Sequence, residues 1–358
     1  MSDKKHNFSA GPCVLPQEVF DKAAQAVLEY EGQGLSLIEM SHRSAAFVEI
    51  MDRAQALVKE MLNVPDGYEV LFLQGGASLG FYMTALNFLN ENGKAAYVNT
   101  GTWSKKAIKE AKLVGEINVI ASSEDKNFSY IPKGFDIPSD LDYLHITSNN
   151  TIFGTQFKEF PKANCNLVCD MSSDIFSREV NVSDFAMIYA GAQKNLGPAG
   201  TTVYIVKKDL LGKTGRTLPS MLDLQLHSDK GSMFNTPPVF AIYTSMLTLE
   251  WLKKKGGVPA MQKVNEDKAA LFYNEIERNS LFEGIAAKED RSNMNATFLM
   301  NNDQLTDTWN NIWQDANING LKGHRSVGGY RASMYNALSI ESVQTLVDAM
   351  KELEKNHG

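Results

Sequence analysis

The stretch Ile188–Gly200, "IYAGAQKNLGPAG", decides how the rest of the chain is read. It opens as an apolar run and then breaks into small, amide-bearing and ring-constrained residues around a single lysine, Lys194. The nearest charged residues are Asp184 upstream and Lys207 downstream, so Lys194 belongs to no solvated charge pattern. Working outward, the run reads as a buried strand ending in a loop, and similar runs recur on both sides. "YEVLFLQ", "KAAYVNTG", "INVIASS", "YLHITSNN", "NLVCDMSS" and "TTVYIVKK" look like strands, while "PQEVFDKAAQAVLEY" and "FVEIMDRAQALVKEMLNV" carry apolar residues at helical spacing. Such alternation predicts a mostly parallel sheet covered by helices.

The pattern changes beyond "WLKKKGGVPAMQ". A long charged helix ("VNEDKAALFYNEIERN"), a strand ("NATFLMN"), a helix ("TDTWNNIWQDANIN"), a strand near "YRASMYN" and a last helix follow. We expect a large α/β domain over 16–255 and a small α+β domain made from 256–358 with the N-terminal segment 1–15.

At 358 residues, 43% apolar and 22% charged, the chain has ordinary globular composition. Its net charge of −7 points to neither nucleic acid nor anionic membrane, so any anionic ligand needs a local cation cluster. The N-terminus lacks an apolar signal region. The uncharged run Val70–Asn90 is long enough to span a bilayer, but Gln74-Gly75-Gly76-Ala77-Ser78 at its centre reads as strand, loop and helix. Three cysteines and no His/Cys ligand spacing predict a cytoplasmic protein with neither disulfide scaffold nor metal site.

A lysine in a strand-end loop can condense with an aldehyde, and pyridoxal phosphate (PLP) is the commonest such partner. PLP asks for three further things. Asp170, at the end of "NLVC", is a candidate partner for the pyridine nitrogen; "GGAS" at 75–78 could bind a phosphate at a helix N-terminus; Trp103 could stack on the ring. Taken singly, each has a plain structural reading as surface residue, cap, turn or packing group. Together they fall at strand–loop junctions of one α/β domain, where such folds place ligands. "GAQKNLGPAG" is not a P-loop and "GGASLG" is not a dinucleotide fingerprint, which argues against a kinase or dehydrogenase.

"HNFSAGPCVLP", "EMSHRS", "QGGASLGF", "IYAGAQKNLGPAG", "GSMFNTPP" and "KGHRSVGGYRASMYNA" resemble the phosphoserine aminotransferases, within the class V PLP-dependent aminotransferases, over essentially the whole chain. The resemblance implies fold type I, the aspartate-aminotransferase-like fold, with a mostly parallel seven-stranded sheet. It implies a homodimer with shared active sites. It also implies amino transfer between L-glutamate and 3-phosphohydroxypyruvate, giving O-phospho-L-serine and 2-oxoglutarate. Amination of 3-hydroxy-2-oxo-4-phosphooxybutanoate, on the route to pyridoxine, is a possible second reaction of such enzymes.

Position by position, the resemblance implies that Lys194 is the Schiff-base lysine, Asp170 the pyridine-nitrogen partner and Trp103 the stacking ring. Thr151 would reach the ring hydroxyl. Ala77, Ser78 and Gln193 would hold the cofactor phosphate, completed by Asn235 and Thr236 from the other subunit. Arg331 would fork onto the substrate α-carboxylate. His42, Arg43, His324 and Arg325 would meet the substrate phosphate or the distal carboxylate of glutamate, with His324 and Arg325 given by the partner. Some family members carry Gly-Arg where this chain has Ala77-Ser78, which puts the detail of substrate-phosphate binding in question. A cysteine desulfurase is excluded, since the last cysteine is Cys169 and no nucleophile follows it. Another small-molecule aminotransferase of class V, or a non-catalytic binder on the same fold, stays open at this point.

Overall fold

The structure, a computed structural model, describes residues 4–358. The first three residues of the expected N-terminal segment lie outside the described residues.

Seven strands lie side by side in the order Tyr68–Leu73, Thr202–Lys207, Met187–Gly191, Asn166–Asp170, Tyr143–Thr147, Lys94–Asn99 and Glu116–Ser122. All run parallel except Thr202–Lys207, which is antiparallel to both neighbours. The reason is connection length: only a short loop separates it from Met187–Gly191, too little chain for a crossover. The central strands are buried on both faces, as parallel sheets require. Alternate residues serve different cores. Val70 and Phe72 pack with the helices Ala45–Met61 and Val239–Lys254, whereas Leu71 and Leu73 pack with Gly76–Phe88 and Thr102–Ala111.

The uncharged run resolves into the strand Tyr68–Leu73, a turn, and the helix Gly76–Phe88. Gly75 takes φ +100°, a backbone conformation that a residue with a Cβ rarely adopts, and this aims the helix start at the ends of the parallel strands. Gly80 lets the helix lie close to the sheet; a Cβ there would stand 2.9 Å from the Tyr189 ring. Among the described residues, no helix is long and apolar enough to cross a membrane.

A second, three-stranded antiparallel sheet (Phe282–Gly284, Asn295–Met300, Tyr330–Ser333) is covered by Gly257–Arg278, Thr306–Asp315 and Ile340–His357. Phe8 is buried in its core, and the N-terminal strand His6–Asn7 pairs in parallel with Ile318–Asn319.

Lys268 is fully buried on the helix Gly257–Arg278. Its ammonium donates to the backbone oxygens of Met334, Tyr335 and Leu338 at 3.0, 2.8 and 3.0 Å. Three donors meet three acceptors with no carboxylate paired to them among the described residues, and burial pulls the pKa of this amine down to about 7. One turn earlier, Asn265 Nδ2 donates to Ser177 O and Asn336 Oδ1 at 3.0 and 2.8 Å. Asn336 N donates in turn to Asn195 Oδ1 at 3.0 Å. A clasp thus runs from this helix, through the segment that follows Arg331, to the residue after Lys194.

Candidate active site

The carboxyl ends of the parallel strands open onto a cleft of about 360 Å³. Each strand brings a side chain to it because the chain must turn there: Asp170 ends Asn166–Asp170, Thr147 ends Tyr143–Thr147, and Lys194 follows Met187–Gly191 by three residues. Of the candidate residues, Ala77, Ser78, Trp103, Thr151, Asp170, Gln193, Lys194, His324 and Arg331 line the cleft. A larger hollow of about 510 Å³, between Ile131 and Lys162, holds none of them.

Lys194 Nζ donates to Thr151 Oγ1 at 2.9 Å and to Ser173 Oγ at 2.6 Å. Burial pulls its pKa from 10.5 down to about 8; the Asp170 carboxylate opposes this, and the Arg331 charge adds to it. At pH 7 roughly a tenth of the amine is then neutral, against well under a thousandth for a free lysine. Asp170 is 4% exposed. Its Oδ1 accepts from Ser172 N at 2.9 Å and Ser172 Oγ at 2.6 Å. Burial raises its pKa, while the Ser172 bonds and then Lys194 work in the opposite direction. An acid and a base are therefore set in one dry site, their partners pulling each toward the charged form while desolvation resists.

The helix Gly76–Phe88 has no side-chain cap, and its first backbone bond at the start is Leu79 N to Gly75 O, 3.3 Å. The amides of its first turn are thus left for a ligand, where the helix dipole favours an anion. Trp103 starts the helix Thr102–Ala111 with its ring centroid 6.0 Å from Lys194 Nζ. Arg331 Nη1 donates to Thr151 O at 3.4 Å. Three buried polar atoms of the cleft have no partner: Trp103 Nε1, Thr147 Oγ1 and Arg331 Nε. Unpaired groups of this kind are costly in a finished core and ordinary in a site shaped for a polar ligand. The open helix start, the buried acid and the desolvated amine match the phosphate, ring nitrogen and aldehyde of a phosphorylated pyridine, and Arg331 is left for a carboxylate.

The remaining candidates lie outside the cleft. His42 and Arg43 sit in the turn before Ala45–Met61. Asn235 Nδ2 donates to Gln74 Oε1 at 3.1 Å, and Gln74 Nε2 donates to Thr236 O at 2.9 Å. Arg325 is exposed beside His324. His324, expected from a partner subunit, lines the cleft of the chain that carries it, at the rim reached by the loop before the strand Tyr330–Ser333.

Several residues of the site escaped the reading of the sequence. Ser172 and Ser173 bond Asp170 and Lys194 directly, but "MSSD" after a strand looks like any polar loop. Gly11 gives Lys194 its room; a Cβ there would stand 3.3 Å from Lys194 Cγ. Cys13 Sγ donates to Lys194 O at 2.7 Å, but burial pushes its thiol up to about 12, so it is no nucleophile. Among the described residues, no cluster of three or more His, Cys, Asp or Glu is placed to hold a metal.

A mostly parallel sheet with a desolvated lysine and a buried acid at its carboxyl end is the build of a PLP-type transferase. The chain belongs to the class-V aminotransferases, whose family model (Aminotransferase class-V) matches residues 5–346. Its similarity narrows further. It is 63% identical over 352 residues to the phosphoserine aminotransferase of Flavobacterium psychrophilum, covering 98% of this chain and 99% of that protein. The solved phosphoserine aminotransferase of Bacillus circulans subsp. alkalophilus superposes with a TM-score of 0.97 at 43% identity, covering 100% of both chains. A PLP-bound phosphoserine aminotransferase from Trichomonas vaginalis gives 0.92 at 35% identity, covering 97% of this chain and 100% of that one.

Proposed function

We propose that this chain is a PLP-dependent transaminase that moves the amino group of L-glutamate to 3-phosphohydroxypyruvate, giving O-phospho-L-serine and 2-oxoglutarate. The observation that carries it is the pair formed by Lys194, its amine pulled down to about 8, and buried Asp170 in one cleft. High identity to phosphoserine aminotransferases over nearly the full chain supports the choice of substrates.

Bound PLP supplies an electron sink for charge developing at the substrate Cα. The residues do the rest. Lys194 Nζ, once free, takes the proton from that carbon and returns one to the product, and a pKa near neutrality suits both directions. Asp170 would place a carboxylate against the cofactor's ring nitrogen, with Ser172 fixing its orientation. Thr151 would meet the ring hydroxyl, Trp103 would cover the ring face, and Ala77, Ser78 and Gln193 would hold the phosphate. Arg331 binds the substrate carboxylate through two parallel N–H groups. A second copy of the chain would bring Asn235 and Thr236 to the cofactor phosphate and Arg325 to the distal end of the substrate, where His42, Arg43 and His324 would also act. The same reading divides the chain into a cofactor-binding unit over 16–255 and a small unit from 1–15 and 256–358.

The test is glutamate-dependent amination of 3-phosphohydroxypyruvate, and of 3-hydroxy-2-oxo-4-phosphooxybutanoate, by the PLP-loaded protein. Turnover with the first acceptor is expected; none with either would refute the assignment. A second expectation concerns pH. Only the neutral amine attacks an aldehyde, and Lys194 becomes neutral above about 8 instead of above 10.5. The rate of covalent PLP attachment to cofactor-free protein should climb about tenfold per pH unit up to about 8 and then level off. A stopped-flow absorbance profile still climbing beyond pH 10 would show the amine to be unperturbed.

A further inference from the structure

Lys106 has no place in the roles given so far. It lies three residues after Trp103 on the helix Thr102–Ala111, so both side chains share a face. Its Nζ stands 4.6 Å from the centroid of the Trp103 ring, the ring that also lies within 6.0 Å of Lys194 Nζ. Its neighbour Lys105 is neutralised by Glu124, whereas no carboxylate pairs with Lys106 among the described residues.

Across the rim, His324 Nδ1 lies 3.2 Å from Ser326 N, which makes Nδ1 an acceptor and leaves the proton on Nε2. Burial and the charges of Arg331, Arg325 and Lys106 hold this imidazole below its ordinary pKa, so it is neutral at pH 7. His324 can offer a hydrogen bond but no charge, and Arg331 is taken up by the carboxylate that both substrates share. The one group distinguishing the phosphorylated substrate is its dianionic tail. The free ammonium beside the Trp103 ring adds a cation to those that His42, Arg43 and Arg325 would bring to that tail.

We propose that Lys106 is a specificity residue: its ammonium leaves the Trp103 ring to bind the substrate phosphate beside His324 Nε2–H. The inference rests on the transaminase reading above. The exchange is favourable on magnitudes. An exposed cation–π contact is worth about fivefold at most in an equilibrium, and a charge-assisted hydrogen bond to phosphate about tenfold or more.

The experiment compares the PLP-loaded protein with Lys106→Met, which keeps the stem and loses the charge, and with Lys106→Arg. For each, kcat/KM is measured with 3-phosphohydroxypyruvate and with hydroxypyruvate, the same keto acid without its phosphate. In Lys106→Met the ratio of the two should fall about tenfold, chiefly through KM for the phosphorylated acceptor. Inhibition by inorganic phosphate should weaken in parallel, and Lys106→Arg should return the ratio to within about threefold of the unaltered chain. A ratio within about twofold of the unaltered chain in Lys106→Met, or an equal loss with both acceptors, would overturn the proposal. Failure of the underlying reading looks different, because the unaltered protein itself would then aminate no phosphorylated acceptor.

Discussion

Lys194→Ala is expected to slow transamination by about a thousandfold or more, while the cofactor-free protein folds as before. The loss follows from removing both the covalent tether and the only amine placed to move the substrate proton, an effect usually worth about 10²–10⁴ for proton transfer alone. The fold should tolerate the change because the partners of Lys194 Nζ are hydroxyls that already bond one another, Thr151 Oγ1 to Ser173 Oγ at 2.7 Å. Burying this lysine also costs stability. Its folded pKa of about 8 lies below the ordinary 10.5, so the penalty is complete below about pH 8 and gone above pH 10.5. At pH 7 the alanine variant, without PLP, should melt no lower than the parent, and gain at most roughly 3 kcal/mol. Single-turnover kinetics with glutamate and a thermal melt decide the matter. Parental half-reaction rates would contradict the role given to Lys194.

Asp170→Asn separates charge from shape at the next most sensitive position. Asparagine keeps an oxygen for Ser172 N and Ser172 Oγ, so the loop should hold its form. What disappears is the negative charge that would face the cofactor's ring nitrogen in the proposed arrangement. A buried carboxylate raises the pKa of such a partner by about 1–3 units, so turnover should fall about tenfold to a thousandfold and PLP should bind more weakly. The Asp170 pKa is raised, so its ionised form is a burden on the folded state that grows as pH rises through the carboxylate range. Losing it should leave the melting temperature at pH 7 undiminished. An Asp170→Asn protein that turns over at the parental rate would remove the acid from the mechanism.

Much of this was legible in the chain itself, for stateable reasons. A lysine among glycine and amide residues, and an acid closing an apolar run, are out of place in a solvated loop, and both proved to sit where parallel strands end. The Gly75-Gly76 turn showed because glycine is needed where the backbone turns left-handed. Other features carried no such mark. Ser172 and Ser173 are ordinary loop hydroxyls until their partners are known. Lys268 sits in "NEDKAALFYNE", which reads as a solvated charged face; only the fold brings three backbone oxygens to it. The place of His324 at the cleft rim was hidden too, since sequence order says nothing about which cleft a loop overhangs. The direction of Thr202–Lys207 was encoded in the short loop around Lys194, whose chemistry drew the eye from its length.

The clasp made by Lys268 and Asn265 bears on how this scaffold can be re-purposed. Arg331 and Lys194 come from distant parts of the chain, but the segment following one is fastened to the residue following the other. The spacing between the Arg331 guanidinium and the Lys194 amine is therefore inherited from a joint well outside the cleft. Anyone retooling the enzyme for new acceptors has latitude along the outer wall, around Lys106 and His324. Repacking the helix face at 265 and 268 would instead detune every substrate together, however well the new pocket were drawn.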